Sequence, residues 1–261
     1  SARSASAAGS QAGAGRHSRS PLARLAAYVS ASAPPTGDAT LEARTTTDGS
    51  NAPITVYDLY TDSGQYYFSH GEAGLPAQIQ AHHDLGGGLF AREIAAAKLA
   101  VTGDVSQAAI DMIQAPDPAH LATTTMNSNW LWENSLDALT AGAGDPQVRA
   151  GVLKLLATLP GVTVANTTVD GRSALTLTAS GPELGPDYIE QITIDAQTGV
   201  PIRFDGGATG RPPSPLQQKL HPKLAQGTII TTPPPGWIPA IKVTYAVSRV
   251  TVADLGSGAS S

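Results

Sequence analysis

The chain of 261 residues contains no cysteine. That excludes disulfides, thiolate metal sites, thiol nucleophiles and a lipid-modified cysteine within these residues. Charged side chains make up only 14%, well below the usual ~25%, so Ser, Thr, Ala, Gly, Gln and Asn must build much of the surface. Aromatic residues are scarce at 5%. No apolar run approaches the ~20 residues that a membrane-spanning helix needs. The net charge is −5 and no basic stripe appears, so nucleic acid is not an expected partner. Catalytic signatures are absent too: there is no G-x-S-x-G elbow, no H-x-x-x-H and no H-E-x-x-H.

What is present is a scaffold. Its clearest stretch, residues 145–204, pairs one helix marked at both ends with alternating strands. Asp145 is a good N-cap and Pro146 a good first helical residue. Val148, Val152, Leu155 and Leu159 form an apolar stripe, with Arg149 and Lys154 expected to face water. Pro160-Gly161 ends the helix. Asp170-Gly171 marks a hairpin turn, and Gly199 suits a positive φ between two further strands.

The remainder extends this unit. Residues 1–20, rich in Ser, Ala and Gly with Arg3, Arg16 and Arg19, read as a flexible tether. Ser20 and Pro21 open a short helix at 21–32. Strands follow at 39–46, 54–60 and 65–69; in the first, Leu41 and Ala43 alternate with Glu42 and Arg44, the period of a half-buried strand. Residues 71–88 read as a loop. Helices at 89–101 and 105–114 form a hairpin, with Asp104 and Gln107 placed as in a capping box. Another helix spans 129–140. Residues 206–238 read as a Gly/Pro-rich loop, 240–252 as the cleanest strand and 256–261 as a tail. The chain starts at Ser, and an upstream export or anchor segment is expected.

The segments NSLDALTAGAGDPQVRAGVLKLLATLPGVTV, DGRSALTLTAS and ITIDAQTGVPIRF resemble a family of actinobacterial extracytoplasmic proteins anchored by an N-terminal membrane segment. DLYTDSGQYYFS and AREIAAAKLAVTGD are similar to the earlier part of that family, so the resemblance covers roughly 41–204. The opening helix, the meander and the DAQTGVPI hairpin are more distantly similar to lipoprotein-carrier (LolA-like) and sigma-E regulator (RseB-like) half-barrels. The resemblance implies a membrane-proximal, extracytoplasmic location and carries over no catalytic residues.

Candidate sites are few. His70, His82, His83, Asp84 and His120 have metal-ligand chemistry, but adjacent histidines in a strand point apart and seldom converge in a loop. A metal-dependent hydrolase using His82 and His83 is therefore the alternative to a binding protein. DLGGGLF (84–90) precedes a helix, where an anion can bind, but lacks the Walker and Rossmann patterns, and no cofactor is expected. Tyr57, Tyr66, Trp130, Trp132 and Trp237 hold much of the aromatic area and are the candidate ligand contacts. Trp132 reads foremost as core, and Trp237 as the better ligand contact.

The expected fold is α+β: a curved, half-barrel-like antiparallel sheet of seven or eight strands, with helices packed on one face. One domain spans 21–255, with a helical insertion at 89–159 and the Pro-rich loop at 206–238. The expected function is a non-enzymatic extracytoplasmic binding domain for an apolar ligand, an envelope component or a partner protein. A structural envelope module with 206–238 as its contact arm is a further alternative.

Overall fold

The computed structural model describes residues 20–49, 51–117, 127–181, 184–208 and 237–257. Its eight strands form one antiparallel sheet in the order β3-β2-β1-β8-β7-β6-β5-β4. The strands are β1 (Ala39–Asp48), β2 (Ile54–Thr61), β3 (Tyr66–Ser69), β4 (Thr163–Val169), β5 (Arg172–Gly181), β6 (Gly185–Asp195), β7 (Pro201–Ala208) and β8 (Ile241–Val250). The sheet is open, with β3 and β4 at its edges. The α+β reading with an eight-stranded antiparallel sheet is what the chain adopts. One long connection brings the last strand, β8, between β1 and β7, joining the N-terminal meander to the C-terminal one.

The main helical layer comprises α1 (Pro21–Ser30), α3 (Leu89–Thr102), α4 (Val105–Gln114), α5 (Asn127–Ala141) and α6 (Pro146–Leu156). Their apolar stripes share one core with Leu175, Leu177, Ile192 and Ile194 of the sheet. Residues 89–159 therefore supply most of the layer that covers the sheet. A small second cluster lies on the opposite face. There α2 (Leu75–Gln80) and α7 (Val252–Gly256) pack Leu75, Ile79 and Leu255 against Ala39, Leu41, Leu59 and Tyr67. The stretch 71–88, expected as loop, thus holds a 3-10 turn and α2, whose Pro76 near its start replaces a side-chain cap. Gly206–Ala208, expected in the Pro-rich loop, continue β7 because β6 and β8 pair with them. Residues 209–236 lie outside the described residues.

Local signals set many boundaries. Ser20 Oγ accepts from the Ala23 amide at 3.1 Å, and Asp145 Oδ1 from Gln147 at 2.8 Å. Asp104 caps α4, but its capping box is incomplete, because Gln107 donates forward to Asp111 at 2.8 Å. Asp170 (φ 50°) and Gly171 (φ 77°) make the turn between β4 and β5, the left-handed pair that a two-residue hairpin favours.

Helix α6 is buried on nearly every side, lying against α1, α3 and α5. Arg149, expected in water, is buried and donates to the Ala143 and Thr198 carbonyls. Burial lowers its pKa to about 10. Lys154, also expected in water, is half-buried and donates to Ala100 and Val101, carbonyls near the end of α3, at 3.1 and 3.0 Å. Lys154 thus satisfies carbonyls that the end of α3 leaves without an intrahelical partner, while Arg149 ties the turn after α5 to the turn between β6 and β7. Gly151 is the contact point with α3: a Cβ there would run into the Ala97 carbonyl. Gly151→Ala should therefore destabilise the fold by ~1–3 kcal/mol through overpacking, read as a lower midpoint in urea. An unchanged midpoint would refute this close helix crossing.

Candidate functional site

Two regions combine polar chemistry with shape. The first is a cleft of about 530 Å³ between α1 and the β4 end of the sheet. Leu25 of α1, Leu175 of β5 and Ala196 in the turn after β6 form its apolar lining. Arg24, Asn166 and Gln197 supply polar groups around it. Tyr28 stands beside it at 66% exposure, a large amphipathic ring left in solvent. Each position has a local cause. The 3.6-residue period of α1 buries Leu22, Leu25, Ala26 and Val29, which turns Arg24 and Tyr28 outward. Asn166 and Leu175 face each other in register across β4 and β5. Asp195 Oδ1 accepts from Gln197 and Thr198 and shapes the turn that presents Gln197. Opposing its partial burial, those hydrogen bonds hold the Asp195 carboxyl below the usual carboxylate range.

The cleft size suits a small ligand or one side chain, since ligand pockets run from ~300 to ~1,000 Å³. An apolar floor of Leu25, Leu175 and Ala196 within a more polar surround can desolvate part of a hydrophobic group while the polar groups orient it.

The second region is an acidic and aromatic layer beneath the helices. Arg44 Nε and Nη2 donate to Asp58 at 2.8 and 3.3 Å, and Tyr66 OH donates to Asp58 at 2.7 Å. Tyr60 stacks on Tyr66 with centroids 4.9 Å apart, and Phe90 meets both edge-on. Directly opposite Asp58 in the β1–β2 register lies Glu42, 1% exposed, with no hydrogen-bond partner for either oxygen. Burial, and then the negative charge of Asp58, push its carboxyl up to about 8. Glu93 of α3 is fully buried and likewise unpartnered; burial, and then Asp137, push it up to about 9. Farther along, Trp132 Nε1 donates to Glu190 at 2.7 Å, with Glu133 in hydrogen-bonding range of the same carboxyl. Burial raises both acids.

The aromatic candidates do not converge on one site. Tyr57 lies on the opposite face, against the small second cluster. Tyr66 is tied to Asp58, Trp132 is fully buried, and Trp130 is half-buried on α5. Trp237 donates to the Ala208 carbonyl at 3.1 Å, at the end of β7. His82 and His83 are exposed just after α2, with His82 at φ 50°. Among the described residues, no group of three or more His, Asp or Glu is placed to hold a metal ion; His120 lies outside them.

Sequence reasoning missed Arg24, Tyr28, Asn166 and Gln197, which line the cleft, and it missed the buried acids. Tyr28 carried a signal, as a large aromatic ring on the polar side of an amphipathic helix. For β1 the alternation was read as that of a half-buried strand, but both faces are covered: Leu41 is buried in the small cluster, and Glu42 is buried on the other face. Comparisons with known protein families, with curated proteins and with solved structures find no match. Fold and cleft together define an open α+β sheet protein with a cleft under its first helix.

The buried acids make a sign-definite prediction. Glu42 has a folded-state pKa of about 8 against an ordinary value of 4.5. Between those values the unfolded chain has lost a proton that the folded chain keeps. Stability therefore falls as pH rises through that window and levels off above it, by ~1.4 kcal/mol per pH unit for each such group. Urea midpoints should be higher near pH 5 than near pH 8. Glu42→Gln should gain ~2–4 kcal/mol over wild type on moving from pH 5 to pH 8. Equal effects at both values would show that the Glu42 carboxyl is not held neutral.

Proposed function

We propose that the chain is a non-enzymatic extracytoplasmic binding domain whose contact site is the cleft between α1 and β4–β5. The observation that carries this reading is the cleft itself: an apolar lining of Leu25, Leu175 and Ala196, polar groups around it, and Tyr28 at 66% exposure beside it. An isolated exposed aromatic is ordinary, but one beside a concave apolar surface supplies contact area at low entropic cost. The ligand class is an apolar or amphipathic group, free or carried by an envelope component or partner protein. The location rests on the resemblance and on the composition of residues 1–20, which suits a tether between a membrane and the folded body. A metal-dependent hydrolase built on His82 and His83 has less support, because those side chains are exposed in the segment after α2, away from the cleft lining.

Protein purified under native conditions and examined by native mass spectrometry should retain, or take up from ligand screens, an apolar or amphipathic molecule. Asn166 is exposed, so Asn166→Trp should fill the cleft without disturbing the core and weaken uptake about tenfold or more. Tyr28→Ala should weaken it by roughly three- to tenfold, the worth of partial contact from one ring. Consistent absence of any bound lipid, peptide or glycan would overturn a binding role.

A further inference from the structure

The two edges of the sheet are treated differently. At β3, the edge is only four residues long and the outer groups of Tyr66 are occupied: its N–H donates to Asp84 Oδ1 at 3.0 Å, and the Leu85 amide donates to its carbonyl at 2.9 Å. The segment before α3 therefore covers the start of that edge. Among the described residues, none of the usual protections is present along β4 from Val164 to Val169. The strand reads TVANTTV, with no charged residue and no proline. Its register with β5 runs unbroken from Thr163↔Thr178 to Val169↔Arg172, without a bulge. Such devices are how natural sheets keep an edge from pairing. In an antiparallel pair every second residue points its N–H and C=O away from its neighbour. Among the described residues, nothing hydrogen-bonds the outer side of β4 between Val164 and Val169.

The unprotected edge borders the cleft. Asn166, at the middle of β4, lines both, and Val164 and Thr168 share its face of the strand. A strand laid beside β4 would place alternate side chains on that same face, next to the opening under α1. Backbone pairing would then supply affinity, and the cleft would select one side chain, the division found where a peptide extends a sheet. We infer that the ligand is an extended segment of a partner protein, which pairs with β4 as a ninth strand and seats an apolar side chain in the cleft. This identity rests on the binding reading above. The chemistry of β4 sets the partner's character. Its uncharged Thr and Val side chains match a segment of β-branched and small polar residues, while Leu25 and Leu175 match one large apolar residue on the α1 side.

The test uses the whole chain and a displayed random-peptide library, from which the strongest binder is synthesised with backbone N-methyl groups at either its odd or its even positions. One pattern should be tolerated and the other should weaken binding by about tenfold or more, because only alternate amides face β4. Hydrogen exchange should show alternating protection of amides 164–169 on peptide addition, and Asn166→Trp should remove binding. In parallel, 1-N-phenylnaphthylamine serves as a small apolar probe of the cleft. Equal tolerance of both methylation patterns, or binding of the probe with no peptide bound, overturns strand addition and leaves the binding domain standing. A dimer formed through β4, seen by sedimentation of the chain alone, overturns it in favour of a second copy as the occupant. Failure of both peptide and probe overturns both readings.

Discussion

The burial of α6 is the constraint on which the arrangement depends. It lies against α1, α3 and α5, and its buried side chains belong to the same core as Leu22, Leu25 and Val29 of α1, Ala97 of α3, and Leu175, Leu177, Ile192 and Ile194 of the sheet. A helix enclosed on nearly every side cannot keep its cations fully in water. Arg149 and Lys154 instead cap carbonyls of the surrounding layer, which turns two potential burial penalties into links between elements. Gly151 permits the close crossing with α3, and α3 in turn carries Phe90 and Glu93 over the sheet. The position of α1 against α6 sets the cleft, since Leu25 is committed to the core while Tyr28 is left outside.

The same one-sided covering explains the polar interior. Alternation along β1 places Glu42 and Arg44 on the face that the helices cover, and along β2 it places Asp58 there. Arg44 and Tyr66 satisfy Asp58, leaving no donor for Glu42 directly opposite. Burial, and then the negative charge of Asp58 beside it, keep Glu42 neutral up to about pH 8. Glu93 reaches the same state in the same way, through burial first and then the charge of Asp137. The fold therefore favours mild acid, opposite to the behaviour of proteins whose acids are paired in the native state.

Features governed by two or three neighbouring residues were legible in the sequence. The caps Ser20, Asp104 and Asp145, the Asp170-Gly171 turn and the positive φ of Gly199 stand where local chemistry puts them. So does the class of the fold, since hairpin signals between alternating segments imply an antiparallel sheet. Features that depend on which surface is covered were not legible. A period of two shows that Leu41 and Glu42 point apart, but only the packing of α2 and α7 decides that Leu41 meets the small cluster. Arg149 and Lys154 look solvent-facing until α1, α3 and α5 surround their helix. The cleft joins α1 to residues more than a hundred positions away in β4 and β5, a proximity that no local pattern encodes.

The cleft also joins the opening helix to the central helix-and-strand stretch. The stretch 145–204 contributes Asn166, Leu175, Ala196 and Gln197, while the opening helix contributes the rest of the lining. Residues that seemed wholly structural thus form one wall of the proposed contact site. Chemical-shift mapping of the ligand-bound chain by NMR tests this most directly. The amides of Tyr28, Asn166, Leu175 and Gln197 should move together as ligand is added, while those of Tyr57 and Tyr67 on the opposite face stay fixed. Shifts centred on β1–β3, with the α1 cleft unmoved, would contradict it.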